Sequence, residues 1–181
     1  MMAIANSCAM LDRPLILTGF MGSGKSSVGR VLAERLACPF VDLDAEIVAA
    51  DGRSINDIFA HDGEEAFRSM ESACLDQVLG GGRSVIATGG GVVMADGNRR
   101  NMRSQGVVVN LLVSLPQVLK RLHGAADRPL YAGSNAANSV KLLMDGREQF
   151  YADADIRIDT DGKSVEDVAA EILRFVGELH A

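Results

Sequence analysis

Residues 14–28 read Pro-Leu-Ile-Leu-Thr-Gly-Phe-Met-Gly-Ser-Gly-Lys-Ser-Ser-Val, and this stretch decides the fold. Pro14 to Thr18 is a short apolar run, the pattern of a buried strand. Gly19 to Ser26 fits G-x-x-x-x-G-K-[ST], and Val28, Val31, Leu32 and Leu36 then recur at helical spacing. A strand, a glycine-rich turn and an amphipathic helix in that order make a phosphate cradle. The glycines accept positive φ and let backbone N–H groups come close to phosphate oxygens. Lys25 brings a cation to the β- and γ-phosphates, Ser26 offers a hydroxyl to Mg²⁺, and the helix aims the positive end of its dipole at the anion.

Working outward, Phe40 to Leu43 reads as a second strand, Ser84 to Ala87 as a third, Val107 to Val113 as a fourth and Ala154 to Asp159 as a weaker fifth. Ser54-Ile-Asn-Asp57, Ser114-Leu-Pro-Gln117 and Ser164-Val-Glu-Asp167 have the look of helix-opening caps. Glu64 to Val78 can form a further helix, and Gly124 to Ser139 is polar, small and broken, a loop or lid. Strands alternating with helices predict an α/β fold, a five-stranded parallel sheet with helices on both faces. The expected organisation is a loose leader over residues 1–12, then one domain over 13–181 with a lid at about 123–139.

The chain has 181 residues, 48% hydrophobic and 23% charged, an ordinary globular composition with a net charge of −6. The acidic balance argues against nonspecific nucleic-acid binding, and no apolar run is long enough to span a bilayer. Cys8, Cys38 and Cys74 form no CxxC pair, and His61, His123 and His180 are not at ligand spacing. This favours reduced, apolar thiols in a cytoplasmic protein over a structural metal site.

Several polar residues stand where ligands of open parallel sheets collect, at the carboxyl ends of strands. Asp42 and Asp44 flank Leu43. In an extended chain both would face one side, one toward Mg²⁺ and the other toward an acceptor hydroxyl; a helix N-cap with a solvated turn is the competing reading. Gly89, Gly90 and Gly91 follow the third strand and suit a close backbone approach to a ligand, or form a plain loop. Arg68 and Arg147 lie in predicted helices and Arg128 in the predicted lid, and each is either a ligand-binding cation or a solvated surface residue. A lid arginine can meet a transferring phosphoryl group.

Taken together, the motifs resemble those of the shikimate kinases over Leu15 to Ile172. They are GFMGSGKSS (19–27), DLD (42–44), GRSINDIF (52–59), DGEEAFR (62–68) with Glu71 behind it, TGGG (88–91), DRPL (127–130), and Arg147 with Tyr151. The resemblance implies a P-loop kinase fold with a mobile lid, related to nucleoside monophosphate kinases. The implied activity moves the γ-phosphoryl group of ATP to the 3-hydroxyl of shikimate. It further implies that Gly22, Ser23, Gly24, Lys25, Ser26 and Ser27 hold ATP, with Arg121, Arg128 and Lys163 near the phosphates or adenine. Ser26 and Asp42 would serve the Mg²⁺. Asp44 would contact the substrate hydroxyls as the candidate base, with Lys25 and Arg128 as its catalytic partners. Arg68 and Arg147 would pair with the substrate carboxylate, and Gly89, Gly90 and Gly91 would line the pocket by backbone. A monomer is expected. Ser27 stands where many members carry threonine.

Two rivals share the phosphate loop: another small-molecule kinase, for gluconate or a nucleoside monophosphate, and a nucleotide-binding protein without turnover. Paired arginines and a triple glycine favour a compact carboxylate over a nucleobase. The chain has no N-K-x-D guanine motif, and Asp159-Thr-Asp-Gly162 fits only a loose DxxG that comes too late.

Overall fold

The computed structural model describes residues 12–122 and 136–179. The predicted leader up to residue 11 and the segment 123–135 with Arg128 lie outside the described residues. Five strands, β1 (Leu15–Thr18), β2 (Phe40–Asp42), β3 (Val85–Ala87), β4 (Val107–Leu112) and β5 (Ile156–Asp159), form one parallel sheet in the order β2-β3-β1-β4-β5. The apolar run that opens the motif is the central strand, paired with β3 on one side and β4 on the other.

Strand alternation divides the core. Leu15, Leu17, Val107, Val109 and Leu111 point to one face, where they meet Val28, Leu32 and Leu36 of α1 (Lys25–Leu36) and Val168, Ile172 and Val176 of α7 (Val165–Leu179). Ile16, Ile86 and Val108 point to the other. That face is covered by α2 (Leu43–Asp51), α3 (Ile55–Leu79), α4 (Asp96–Gln105), α5 (Leu115–Leu122) and α6 (Ala136–Tyr151). Both faces are thus buried, as the near-continuous apolar strands require.

Local signals act as expected at two helix starts. The Ser54 hydroxyl accepts from the Asp57 N–H at 3.1 Å, and Ser164 accepts from Asp167 at the same distance. Pro116 sits in the first turn of α5, where its missing N–H costs no helical hydrogen bond. The helix expected over 64–78 continues back to the Ser54 cap, but it is broken at Gly63, whose φ of 83° and ψ of 174° are not helical.

Three elements differ from the sequence reading. The second strand ends at Asp42, and Leu43 already belongs to α2 because its fully buried side chain is drawn into the core from the first helical turn. Helix α4 was not anticipated: its sequence, DGNRRNMRSQ, is almost wholly polar, and only Asn98 and Met102 are buried. The last residues of the stretch read as loop, 136–139, are the first turn of α6, which fully buried Val140 anchors to the sheet. Burial pushes the Cys38 and Cys74 thiols up, keeping them protonated near neutral pH, and this suits their reading as small apolar residues.

Candidate active site

The phosphate loop begins where β1 ends, and Gly24 with φ 97° caps α1 in a left-handed conformation that residues with a Cβ rarely adopt. The Lys25 ammonium folds back over the loop and donates to the Gly19 carbonyl at 2.8 Å and the Phe20 carbonyl at 3.1 Å. Its charge therefore sits at the mouth of the loop, beside the amino end of α1. Ser26 in the first turn of α1 donates to Asp42 Oδ2 at 2.7 Å. This contact joins the start of α1 to the carboxyl end of β2 and brings a hydroxyl and a carboxylate together as hard oxygen donors. From the far side, the Arg121 guanidinium of α5 reaches the Gly22 carbonyl.

Of the two readings of Asp42 and Asp44, the local structure follows the helix start, with Asp42 at the N-cap of α2. The chain turns helical at Leu43, so Asp44 projects from the first turn of α2 and not from an extended strand. The two carboxylates diverge to different neighbours. Asp42 meets the phosphate-loop helix, and Asp44 stands against Gly89 in the turn after β3.

That turn gathers the remaining predicted residues. A Cβ built on Gly89 would lie 2.5 Å from Glu71 Oε1 and 2.9 Å from Asp44 Oδ1, and one on Gly91 would coincide with the Arg68 guanidinium. Arg147 of α6 donates to the Gly90 carbonyl at 3.3 Å and lies over the Phe20 ring, 5.9 Å from its centroid. A Cβ on Gly90 would be 3.6 Å from the Met21 amide nitrogen and 3.7 Å from the Gly19 carbonyl oxygen. The glycine run thus faces the phosphate loop across a gap that a single Cβ would fill. Arg68, Asp44, Gly89, Gly90, Gly91 and Arg147, from four separate segments, gather in one polar cluster beside the cradle. Lys163 pairs instead with Glu171 of α7 at 2.6 Å.

Two residues outside the predicted site belong to the pocket. Glu71, 1% exposed, accepts from Arg68 Nη1 at 2.7 Å through Oε2, while its Oε1 has no hydrogen-bond partner among the described residues. Burial pushes the Glu71 carboxyl above its ordinary value, Arg68 pulls it back, and nearby Asp44 adds to the rise. Its signal was the spacing from Arg68, three residues along one helix face. Tyr151, buried one turn beyond Arg147, donates its hydroxyl to the Gly90 carbonyl.

Gly89→Ala is expected to fold, because the atoms its methyl meets are the ends of two side chains. It should displace both site carboxylates. Overpacking costs about 1–3 kcal/mol, so the acceptor KM should rise about tenfold while KM for ATP holds. Steady-state kinetics with each substrate varied in turn checks this.

The comparisons agree with the geometry. The family model described as shikimate kinase matches residues 21–177. A shikimate kinase from Geobacter metallireducens is 51% identical over 164 residues, covering 91% of this chain and 92% of that protein. One from Geobacter sulfurreducens is 52% identical over 166 residues, 92% of each. Among solved structures, a shikimate kinase from Acinetobacter baumannii in complex with shikimate superposes with a TM-score of 0.90 at 33% identity, covering 96% of this chain and 98% of that one. A family match across most of the sequence, relatives at half identity over nine-tenths of it, and a site assembled from the motifs that carried the resemblance have one conclusion: the chain belongs to the shikimate kinase family.

Proposed function

We propose that this enzyme transfers the γ-phosphoryl group of ATP to the 3-hydroxyl of shikimate, giving shikimate 3-phosphate and ADP. The observation that carries the reading is the closeness of the two half-sites: a Cβ at Gly90 would touch the Met21 amide nitrogen and the Gly19 carbonyl oxygen of the phosphate loop. A donor in the cradle and an acceptor on the glycine run would be neighbours.

The acceptor half has groups for each part of shikimate. Its carboxylate pairs with the planar guanidiniums of Arg68 and Arg147, which suit bidentate binding. Its hydroxyls meet Asp44 and the backbone of Gly89, Gly90 and Gly91. In the donor half, the backbone of Gly22, Ser23 and Gly24, with Ser27 behind, cradles the phosphates. Arg121 is assigned to the nucleotide from its contact with the loop. Arg128, outside the described residues, and Lys163 are assigned there by family resemblance alone. The hydroxyl of Ser26 and the carboxylate of Asp42 fit Mg²⁺, which is commonly held by one or two carboxylates plus substrate phosphates. Bound there, it would neutralise charge on the β- and γ-phosphates.

In the reaction the 3-hydroxyl oxygen forms a bond to the γ-phosphorus as the bond to the β–γ bridging oxygen breaks, and the charge leaves on ADP. Such a transfer depends on alignment and charge stabilisation more than on covalent help from the protein. Asp44 therefore chiefly orients the hydroxyl and receives its proton late. Lys25 meets the charge developing between the β- and γ-phosphates.

A substrate panel tests the assignment. With MgATP, ADP release is expected with shikimate and only at background level with gluconate, AMP or CMP. Equal or faster turnover with gluconate or a nucleotide overturns it.

A further inference from the structure

Gly90 presents one carbonyl oxygen to two donors from the same helix. Tyr151 donates its hydroxyl to it, and Arg147 reaches it only at 3.3 Å, long for such a bond. Both donors thus converge on the Gly90 peptide, in the turn that faces the phosphate loop. The Tyr151 ring is 5% exposed and packs in the same apolar cluster as Phe20, whose ring underlies Arg147. Packing thus fixes the phenol, while the arginine, on a longer side chain, is held mainly by what it touches.

We infer that Tyr151 is a positioning residue for the acceptor site: by holding the Gly90 carbonyl at close range it confines Arg147 to a long contact with that oxygen and leaves the fork turned to the substrate carboxylate. This rests on the proposed pairing of Arg147 with that carboxylate. Burial pushes the phenol up to about 12, so it remains a proton donor throughout the working pH range. Without the hydroxyl, the carbonyl loses its close donor and Arg147 becomes the replacement. The fork would then be spent on the backbone, and binding of an anionic acceptor would weaken without any change at the nucleotide.

Tyr151→Phe keeps the ring and removes only the hydroxyl. KM for shikimate is expected to rise about five- to tenfold, roughly the net loss of one neutral hydrogen bond, with kcat and KM for ATP held within about twofold. Two controls separate positioning from general loosening. With shikimate methyl ester, which has no charge for Arg147 to read, wild type and Tyr151→Phe should be equal. On an Arg147→Ala background, Tyr151→Phe should add nothing. An equal loss on the ester, additive losses in the double variant, or an unchanged KM in Tyr151→Phe overturns the inference. If wild type uses the ester as well as the acid, the carboxylate reading itself fails. A measurement on the wild-type fold stands beside these. The chain has two tyrosines, so 3-fluorotyrosine labelling gives two fluorine resonances, which Tyr131→Phe assigns. The Tyr151 resonance should move on adding shikimate and hardly move on adding the ester; a resonance unmoved by shikimate also overturns the inference.

Discussion

Lys25→Ala should fold normally and lose roughly a hundredfold or more of kcat, since removing one well-placed stabilising group from a transition state typically costs about 3 kcal/mol. The side chain is not needed to build the loop. Its ammonium donates to the carbonyls of Gly19 and Phe20, but the turn is also held by the backbone bond from Ser23 N–H to the Phe20 carbonyl at 3.1 Å and by the packing of Phe20. What disappears is a cation at the mouth of an anion cradle, where charge moves from the γ-phosphoryl group to the β–γ bridging oxygen. Lys25→Arg keeps the charge but spreads it over a larger planar group, so it should recover only part of the rate. Single-turnover measurements at saturating ATP and shikimate check this; an unchanged chemical step in a folded Lys25→Ala enzyme overturns the role.

Arg68→Ala is expected to raise KM for shikimate by one to several orders of magnitude, because truncating one partner of a hydrogen-bonded charge pair costs about 2–5 kcal/mol. KM for ATP should hardly move. Arg68→Lys, with the charge but not the fork, should fall between. The charge-free methyl ester sharpens the test: against it, Arg68→Ala should lose little more than wild type already has, whereas additive losses would make Arg68 a surface arginine. A second effect follows from Glu71. Its Oε1 has no hydrogen-bond partner among the described residues, and its Oε2 accepts from Arg68, so the truncation strands a buried carboxyl. Burial already raises this group and Arg68 lowers it, so its removal raises the carboxyl further. A carboxyl whose folded value lies above its unfolded one binds its proton more tightly when folded. Its penalty is present at neutral pH and is relieved as the pH falls through the raised value. The Tm deficit of Arg68→Ala should therefore shrink from neutral toward mildly acidic pH, and a deficit constant with pH would show that Glu71 is not the stranded group.

The phosphate loop was legible because each of its constraints is local. Glycines, a lysine and a hydroxyl at fixed spacing define the turn by themselves, and the flanking strand and helix follow from periodicities of two and 3.6. Helix α4 was not legible for the opposite reason. It has almost no apolar face, and it pairs Arg99 and Arg100 with Asp96 within its own surface, so its sequence resembles a polar loop. At the two aspartates the sequence left two local geometries open, an extended pair and a helix start, and packing chose between them. Extended alternation would have put Asp42 and Asp44 on one side, whereas burial of Leu43 starts a helix between them and sends one to Ser26 and the other to Gly89.

By itself the sequence determined the class of fold, the position of the phosphate cradle and, through its ordered motifs, the family, since each of these is written in residue spacing along the chain. Tertiary structure alone decided which scattered residues share a pocket. Arg68, Gly89, Gly90, Gly91 and Arg147 are brought together by the pairing of β3 with β1 and the packing of α3 and α6 on one face of the sheet, contacts between residues distant in sequence that no local pattern encodes. The same packing drew in Glu71 and Tyr151, whose side chains would be an ordinary helix acid and an ordinary core aromatic on any other helix. Their roles arise from burial beside charge: a carboxyl loses its water next to Arg68, and a phenol holds at close range the carbonyl that Arg147 reaches only at 3.3 Å.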